Sequence, residues 1–164
     1  MNDKKPTRKN IRLKNYDYSS CGAYFVTICT KEKQNYFWKN AEVVTETLQE
    51  VELSENGKIV EDAINNISKI YPNVLVDQYV IMTDHIHIIL IIDGDKNGLP
   101  MAAPTLSRII GQMKGYVTKK IGEAIWQKLF YEHIIRNQKD YEAHLKYIYE
   151  NPIGLAYKKT DMRF

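Results

Sequence analysis

An α+β fold, an antiparallel sheet with helices packed on it and related to the ferredoxin-like arrangement, is what this sequence predicts. Three observations lead there. Apolar, β-branched runs alternate with amphipathic stretches of helical period, and the order reads strand, helix, strand, strand, helix, strand, helix. The chain has 164 residues, enough for one core without disulfides or metal staples. No internal repeat and no composition break suggests a second unit.

Ala23 to Thr30 is rich in β-branched and aromatic residues and reads as a buried strand, with Lys31 to Asn35 as its turn. From about residue 54 to 70, Ile59, Val60, Ala63, Ile64, Ile67 and Ile70 recur at helical spacing, and Pro72 closes the pattern. Val74 to Met82 and His85 to Ile92 read as two antiparallel strands joined through Thr83 and Asp84. After Pro104, the residues Leu106, Ile109, Ile110, Met113, Val117 and Ile121 keep a helical period up to Gly122. Trp126 to Ile135 reads as a last strand, and Gln138 to Glu150 as a last helix that Asn151 and Pro152 stop. Residues 1–20 are polar and basic and read as a partly mobile arm, which leaves 21–164 as a single domain.

Composition narrows the function. No apolar run reaches the roughly 20 residues of a membrane span, and Cys21 and Cys29 lack zinc or disulfide spacing. A cytosolic protein with reduced thiols is expected. The formal net charge of +3 hides a segregation. Lys4, Lys5, Arg8, Lys9, Arg12 and Lys14 crowd the arm, and Arg108, Lys114, Lys119, Lys120 and Lys128 form a second basic group. Acids gather between Glu42 and Asp62. One electropositive surface facing phosphates is the functional reading; a solvated face with a floppy tail is the plain one.

The chemistry concentrates in two places. Side chains alternate along a strand, so His85 and His87 project to one face while Ile86 and Ile88 project to the other. Two convergent imidazoles suit a divalent metal, although a pair of buried histidines bonded to neighbours fits the same pattern. Two histidines alone leave coordination positions open, as Lewis-acid chemistry at a phosphate requires. Serine-hydrolase elbows, Gly-rich phosphate loops and HExxH helices are absent, whereas tyrosine is abundant at 12 copies. On the last helix, at about 100° per residue, Tyr147 and Asn151 share one face and Tyr149 points away. A phenol and an amide oxygen there can serve as nucleophile and third metal ligand; tyrosines that simply cover the sheet are the alternative.

The His-Ile-His strand, Trp126-Gln127, Phe130 to Arg136, Asp140-Tyr141 and Tyr147 to Pro152, taken in this order, resemble the single-tyrosine HUH transposases of IS200-like bacterial elements. The similarity is strongest to the REP-associated tyrosine transposases and runs from about Tyr24 to Tyr157. The resemblance implies an HUH nuclease fold and a metal-dependent enzyme that cleaves and rejoins single-stranded DNA beside hairpins through a 5′-phosphotyrosine intermediate. It implies His85, His87 and Asn151 as ligands of Mg²⁺ or Mn²⁺, with Glu150 as the alternative to Asn151, and Tyr147 as nucleophile. It implies phosphate contacts from Arg8, Lys9, Arg12 and Lys14 and from Arg108, Lys114, Lys119 and Lys120. Stacking of unpaired bases on Tyr16, Tyr18 and Tyr131 is the corresponding expectation for the tyrosines. The protein is expected as a monomer or a homodimer. Two competing readings follow from the same residues: a catalytically silent hairpin-DNA-binding protein, and a metal hydrolase that uses water in place of the phenol.

Overall fold

In a computed structural model the described residues are 22–40, 51–93 and 105–161, with 151–161 described for the backbone alone. The elements run β1 (Gly22–Cys29), α1 (Glu55–Ile70), β2 (Val74–Ile81), β3 (His85–Ile92), α2 (Leu106–Ile121), β4 (Tyr131–Ile135) and α3 (Gln138–Asp161), with a short 3₁₀ turn at Lys31–Lys33. The element order is the one expected. The basic arm expected over residues 1–20 lies outside the described residues.

The sheet has the order β2-β3-β1-β4, and every neighbouring pair is antiparallel. Strands two places apart are therefore parallel, and α1 and α2 each cross over one intervening strand. This double split crossover is the ferredoxin-like arrangement. Its physical origin is the two-sided apolar character of β1 and β3. Tyr24, Val26, Ile28, Ile86, Ile88 and Leu90 are fully buried on one face. α1 packs against β2 and α2 on that side, through Val60, Ile64 and Ile67 of α1 and Ile109, Ile110 and Val117 of α2. Ser54 caps α1 by accepting from the Gly57 amide, and Thr105 caps α2 through Arg108. Gly122, with φ of 89°, ends α2 in the left-handed region that glycine enters freely.

The other face carries α3. Here β2 contains a bulge: Val76 pairs with Leu90 and Gln78 with Ile89, so Asp77 is an extra residue with no partner on β3. Its carboxylate turns to α3 and accepts from the Tyr141 hydroxyl at 2.5 Å, while Tyr149 reaches Gln78 at 3.3 Å. The hydrogen bond to Asp77, with burial added, pushes the Tyr141 phenol up to about 12. Asn137 starts the helix by accepting from the Asp140 amide at 2.8 Å.

Two boundaries differ from the sequence reading. α3 continues through Asn151 and Pro152 to Asp161. A proline removes one amide donor and strains one turn, yet the residues after it bring amides of their own, so the backbone resumes the helix. The last strand covers Tyr131–Ile135 only, and Trp126 contributes an isolated bridge to Thr30. Between them the Gln127 and Lys128 carbonyls accept from the Lys114 ammonium, at 2.7 and 3.4 Å, instead of from a neighbouring strand.

Candidate active site

Antiparallel pairing brings Thr27 of β1 opposite His87, and Cys29 opposite His85, on the α3 face of the sheet. His87 is almost wholly buried, and its Nδ1 lies 2.7 Å from the Thr27 hydroxyl. Its Nε2 is buried and has no hydrogen-bond partner among the described residues. Buried polar atoms are normally satisfied, so this imidazole nitrogen stands out as one open to a bond from outside the described residues. Burial, reinforced by the neighbouring His85, lowers the His87 pKa to about 3. The ring is therefore neutral at ordinary pH, the form that binds metal.

His85 is oriented in the same sense. Its Nδ1 sits 2.6 Å from the Asp84 carboxylate, which only accepts once ionised, so the hydrogen is on Nδ1 and the lone pair on Nε2. Burial opposes ionisation of Asp84, but the hydrogen bond and charge of His85 outweigh it and hold the carboxyl below its usual range. The two imidazole rings meet at 4.7 Å between centroids, inclined by 72°. A histidine whose far nitrogen is pinned by a hydroxyl or carboxylate is the usual dress of a metal ligand.

α3 delivers Tyr147 to this pair. Its ring lies 5.2 Å from the His87 ring of the same chain, edge-on at 69°, and 6.1 Å from Phe25. The side chain is half exposed at the rim of a cleft of about 540 Å³, lined by Phe25, Thr27, His87, Tyr131, His144 and Tyr147 among others. Tyr149 leaves the helix toward β2, as the helical phase requires. Asn151 follows Tyr147 by one turn on α3, and its side chain lies outside the described residues. Glu150 is exposed and pairs with Lys146 at 3.8 Å.

The basic residues fare differently. Arg8, Lys9, Arg12 and Lys14, with Tyr16 and Tyr18, lie outside the described residues. Arg108, Lys119 and Lys120 are exposed on α2, beside α1, and Lys120 rests 5.7 Å above the Tyr116 ring. Lys114 is half buried with its ammonium spent on two backbone carbonyls, and burial lowers its pKa. Tyr131 lines the cleft.

Sequence reasoning missed the roles of four side chains. Thr27 is invisible without the β1–β3 register. His133 of β4 and Asp140 and His144 of α3 come together beside Phe25, with their polar atoms all within 4.8 Å, a spacing compatible with a divalent cation as well as with hydrogen bonding. Asp140 accepts from His133 Nε2 at 2.9 and 3.1 Å and from the Arg136 amide at 3.1 Å. Burial works against that carboxylate's ionisation, and these bonds overcome it, so its pKa falls. The Asp140–His144 spacing of one helical turn was the available signal.

No family model matches the chain. An uncharacterised protein of Haemophilus influenzae is 36% identical over 165 residues, covering 89% of this chain and 88% of its own length. A REP-associated tyrosine transposase of Escherichia coli is 35% identical over 85 residues, 51% of this chain and 47% of that protein. The solved structure of a REP-associated tyrosine transposase bound to a REP hairpin superposes with a TM-score of 0.58 and 26% identity, covering 87% of this chain and 73% of the other.

Proposed function

This chain belongs to the REP-associated tyrosine transposases of the IS200-like group, and from that premise we propose that it nicks and rejoins single-stranded DNA beside a hairpin, with Tyr147 as nucleophile. The observation that carries the reading is the arrangement of one ring set: Asp84 and Thr27 hold Nδ1 of His85 and His87, Nε2 of His87 has no hydrogen-bond partner among the described residues, and Tyr147 packs 5.2 Å from His87 at the cleft rim.

His85 and His87, with Asn151 as third ligand, would hold Mg²⁺ or Mn²⁺. Bound there, the cation supplies positive charge against the phosphate oxygens, where negative charge builds during displacement. The protein's own contribution is position. Thr27 and Asp84 fix the two imidazoles, the sheet keeps them dry on one side, and α3 holds the phenol in reach of a strand entering the cleft. Tyr147 attacks phosphorus, the bond to the 3′ oxygen breaks, and the 5′-phosphate stays on the tyrosine. The ester conserves the energy of the broken bond, so the released 3′-hydroxyl can reverse the step without a nucleotide cofactor.

The partner is DNA folded into a hairpin, a reading supported by the hairpin held in the solved relative. Arg8, Lys9, Arg12 and Lys14, together with Arg108, Lys119 and Lys120, would provide its phosphate contacts. Lys114 contributes less, since its ammonium is already occupied. Among the described residues no helix is long and apolar enough to cross a membrane.

Labelled hairpin DNA with a single-stranded flank tests the reading. With Mg²⁺ or Mn²⁺ the protein is expected to form an adduct that survives denaturing electrophoresis and disappears in Tyr147→Phe and in EDTA. Cleavage that leaves a free 5′-phosphate without an adduct would assign the histidines to a hydrolase instead. Hairpin binding with no cleavage would leave a binding protein.

A further inference from the structure

The triad of His133, Asp140 and His144 has a defined proton arrangement. His144 Nδ1 lies 2.8 Å from the backbone carbonyl oxygen of Asp140 and 3.2 Å from its carboxylate. A carbonyl oxygen only accepts, so Nδ1 carries the hydrogen. The neutral ring therefore keeps its basic lone pair on Nε2. His133 likewise directs an Nε2 hydrogen at Asp140. With both nitrogens committed as donors, the triad is built for hydrogen bonds, although its spacing also suits a cation.

The ring of His144 packs against Phe25, at 4.6 Å, and against a nearly parallel His133 ring, at 4.5 Å and 21°. Tyr147 comes three residues later on the same helix, and residues so spaced have Cβ atoms about 5–6 Å apart. Phe25 packs against both rings, and both line the same cleft. A phenol needs a proton acceptor at neutral pH, and an imidazole is the ordinary one.

We propose that His144 is the general base for Tyr147, with Asp140 and His133 as positioning residues that set its tautomer and angle. The inference rests on the phosphotyrosine reading above. As the Tyr147 oxygen bonds to phosphorus, its O–H bond breaks and the proton passes to Nε2 of His144. The electron pair of the breaking bond goes to the 3′ oxygen, which takes a proton from water, and His144 releases its own proton to solvent. Rejoining runs the same transfers backwards.

The test measures single-turnover adduct formation by the full chain in six forms: the parent, His144→Gln and Asp140→Asn, each with tyrosine or a ring-fluorinated tyrosine of lower phenol pKa at position 147. His144→Gln is expected to slow native Tyr147 on the order of 10²-fold or more, the ordinary contribution of a general base. Fluorination is expected to recover most of that loss, because a more acidic phenol depends less on a base. Asp140→Asn should show a smaller loss with the same recovery. Hairpin affinity and circular dichroism check that the variants fold. Equal slowing with both phenols, or no slowing, would overturn the proposal while leaving the adduct chemistry intact. Mn²⁺ binding that persists in a His85→Ala, His87→Ala double variant and is lost on adding His133→Ala would overturn it in favour of a cation site. Absence of any adduct in the unaltered protein would overturn the parent reading as well.

Discussion

Replacing Thr27 with valine isolates one hydrogen bond at the centre of the site. The exchange puts a methyl where the hydroxyl stood, so steric change is small and the loss is almost purely polar. What disappears is the 2.7 Å bond that holds Nδ1 of His87, a residue only 3% exposed. Water has little access there, and leaving a buried polar group unpaired costs about 1–3 kcal/mol. The ring has two escapes. It can rotate toward another partner or change tautomer, and either alters the nitrogen offered to a cation. Losing such an orienting partner typically lowers metal affinity about 10- to 100-fold, equivalent to about 1.4–2.7 kcal/mol. Titration of Mn²⁺ followed by paramagnetic resonance or calorimetry reads the change directly. Thr27→Ser should retain most of the affinity, and in a His87→Ala background Thr27→Val should add nothing. Wild-type Mn²⁺ affinity in Thr27→Val, or an undiminished loss without His87, would refute the reasoning.

Two further predictions concern stability. A Cβ added at Gly57 would sit 2.2 Å from the Phe37 carbonyl oxygen, so Gly57→Ala must push the start of α1 off the backbone it touches. A cost of about 1–3 kcal/mol or more is expected, seen in calorimetry as a drop in Tm of roughly 2–4 °C per kcal/mol; an unchanged Tm would show that α1 shifts freely. In EDTA, acidification should destabilise the fold through His87. Its pKa falls from 6.5 to about 3 on folding, so the unfolded chain binds the extra proton between these values and stability declines as pH drops through that window. The slope approaches roughly 1.4 kcal/mol per pH unit. Urea midpoints measured from pH 7 to 4.5 should fall more steeply in the parent than in His87→Gln; parallel curves would contradict the burial argument.

Much of the fold could be read directly, because β3 and the two crossover helices bury regular faces. Ile86 and Ile88 against His85 and His87 is a period-2 pattern, and the α1 and α2 stripes are period-3.6 patterns, so each face assignment needed only local spacing. The phase of Tyr147 relative to Tyr149 was legible for the same reason. Features that depend on pairing between distant segments were not. Thr27 acquires its role from lying opposite His87, and His133 from the position of β4 beside β1. The stretch Val74 to Ile81 reads as one uninterrupted strand, and nothing local announces that Asp77 is surplus. Pro152 misled because a lost amide donor marks a probable helix end, yet α3 runs on past it. The end of β1, by contrast, is secured by Thr30, whose single hydroxyl hydrogen is shared between the Gln34 and Asp84 carbonyls.

The bulge in β2 invites a comparison with grammar, in which a single inserted word changes what a sentence refers to while leaving its other words in order. Val76 and Gln78 already face opposite sides, as neighbours in an unbroken strand would. Excising Asp77 would therefore heal the ladder without reversing any other side chain, and only the grip on Tyr141 would vanish. A lineage can thus gain or lose its hold on the nucleophile-bearing helix by a one-codon insertion or deletion, with no compensating change in the core. Indels at this position are the place to look when relatives differ in how firmly that helix is seated.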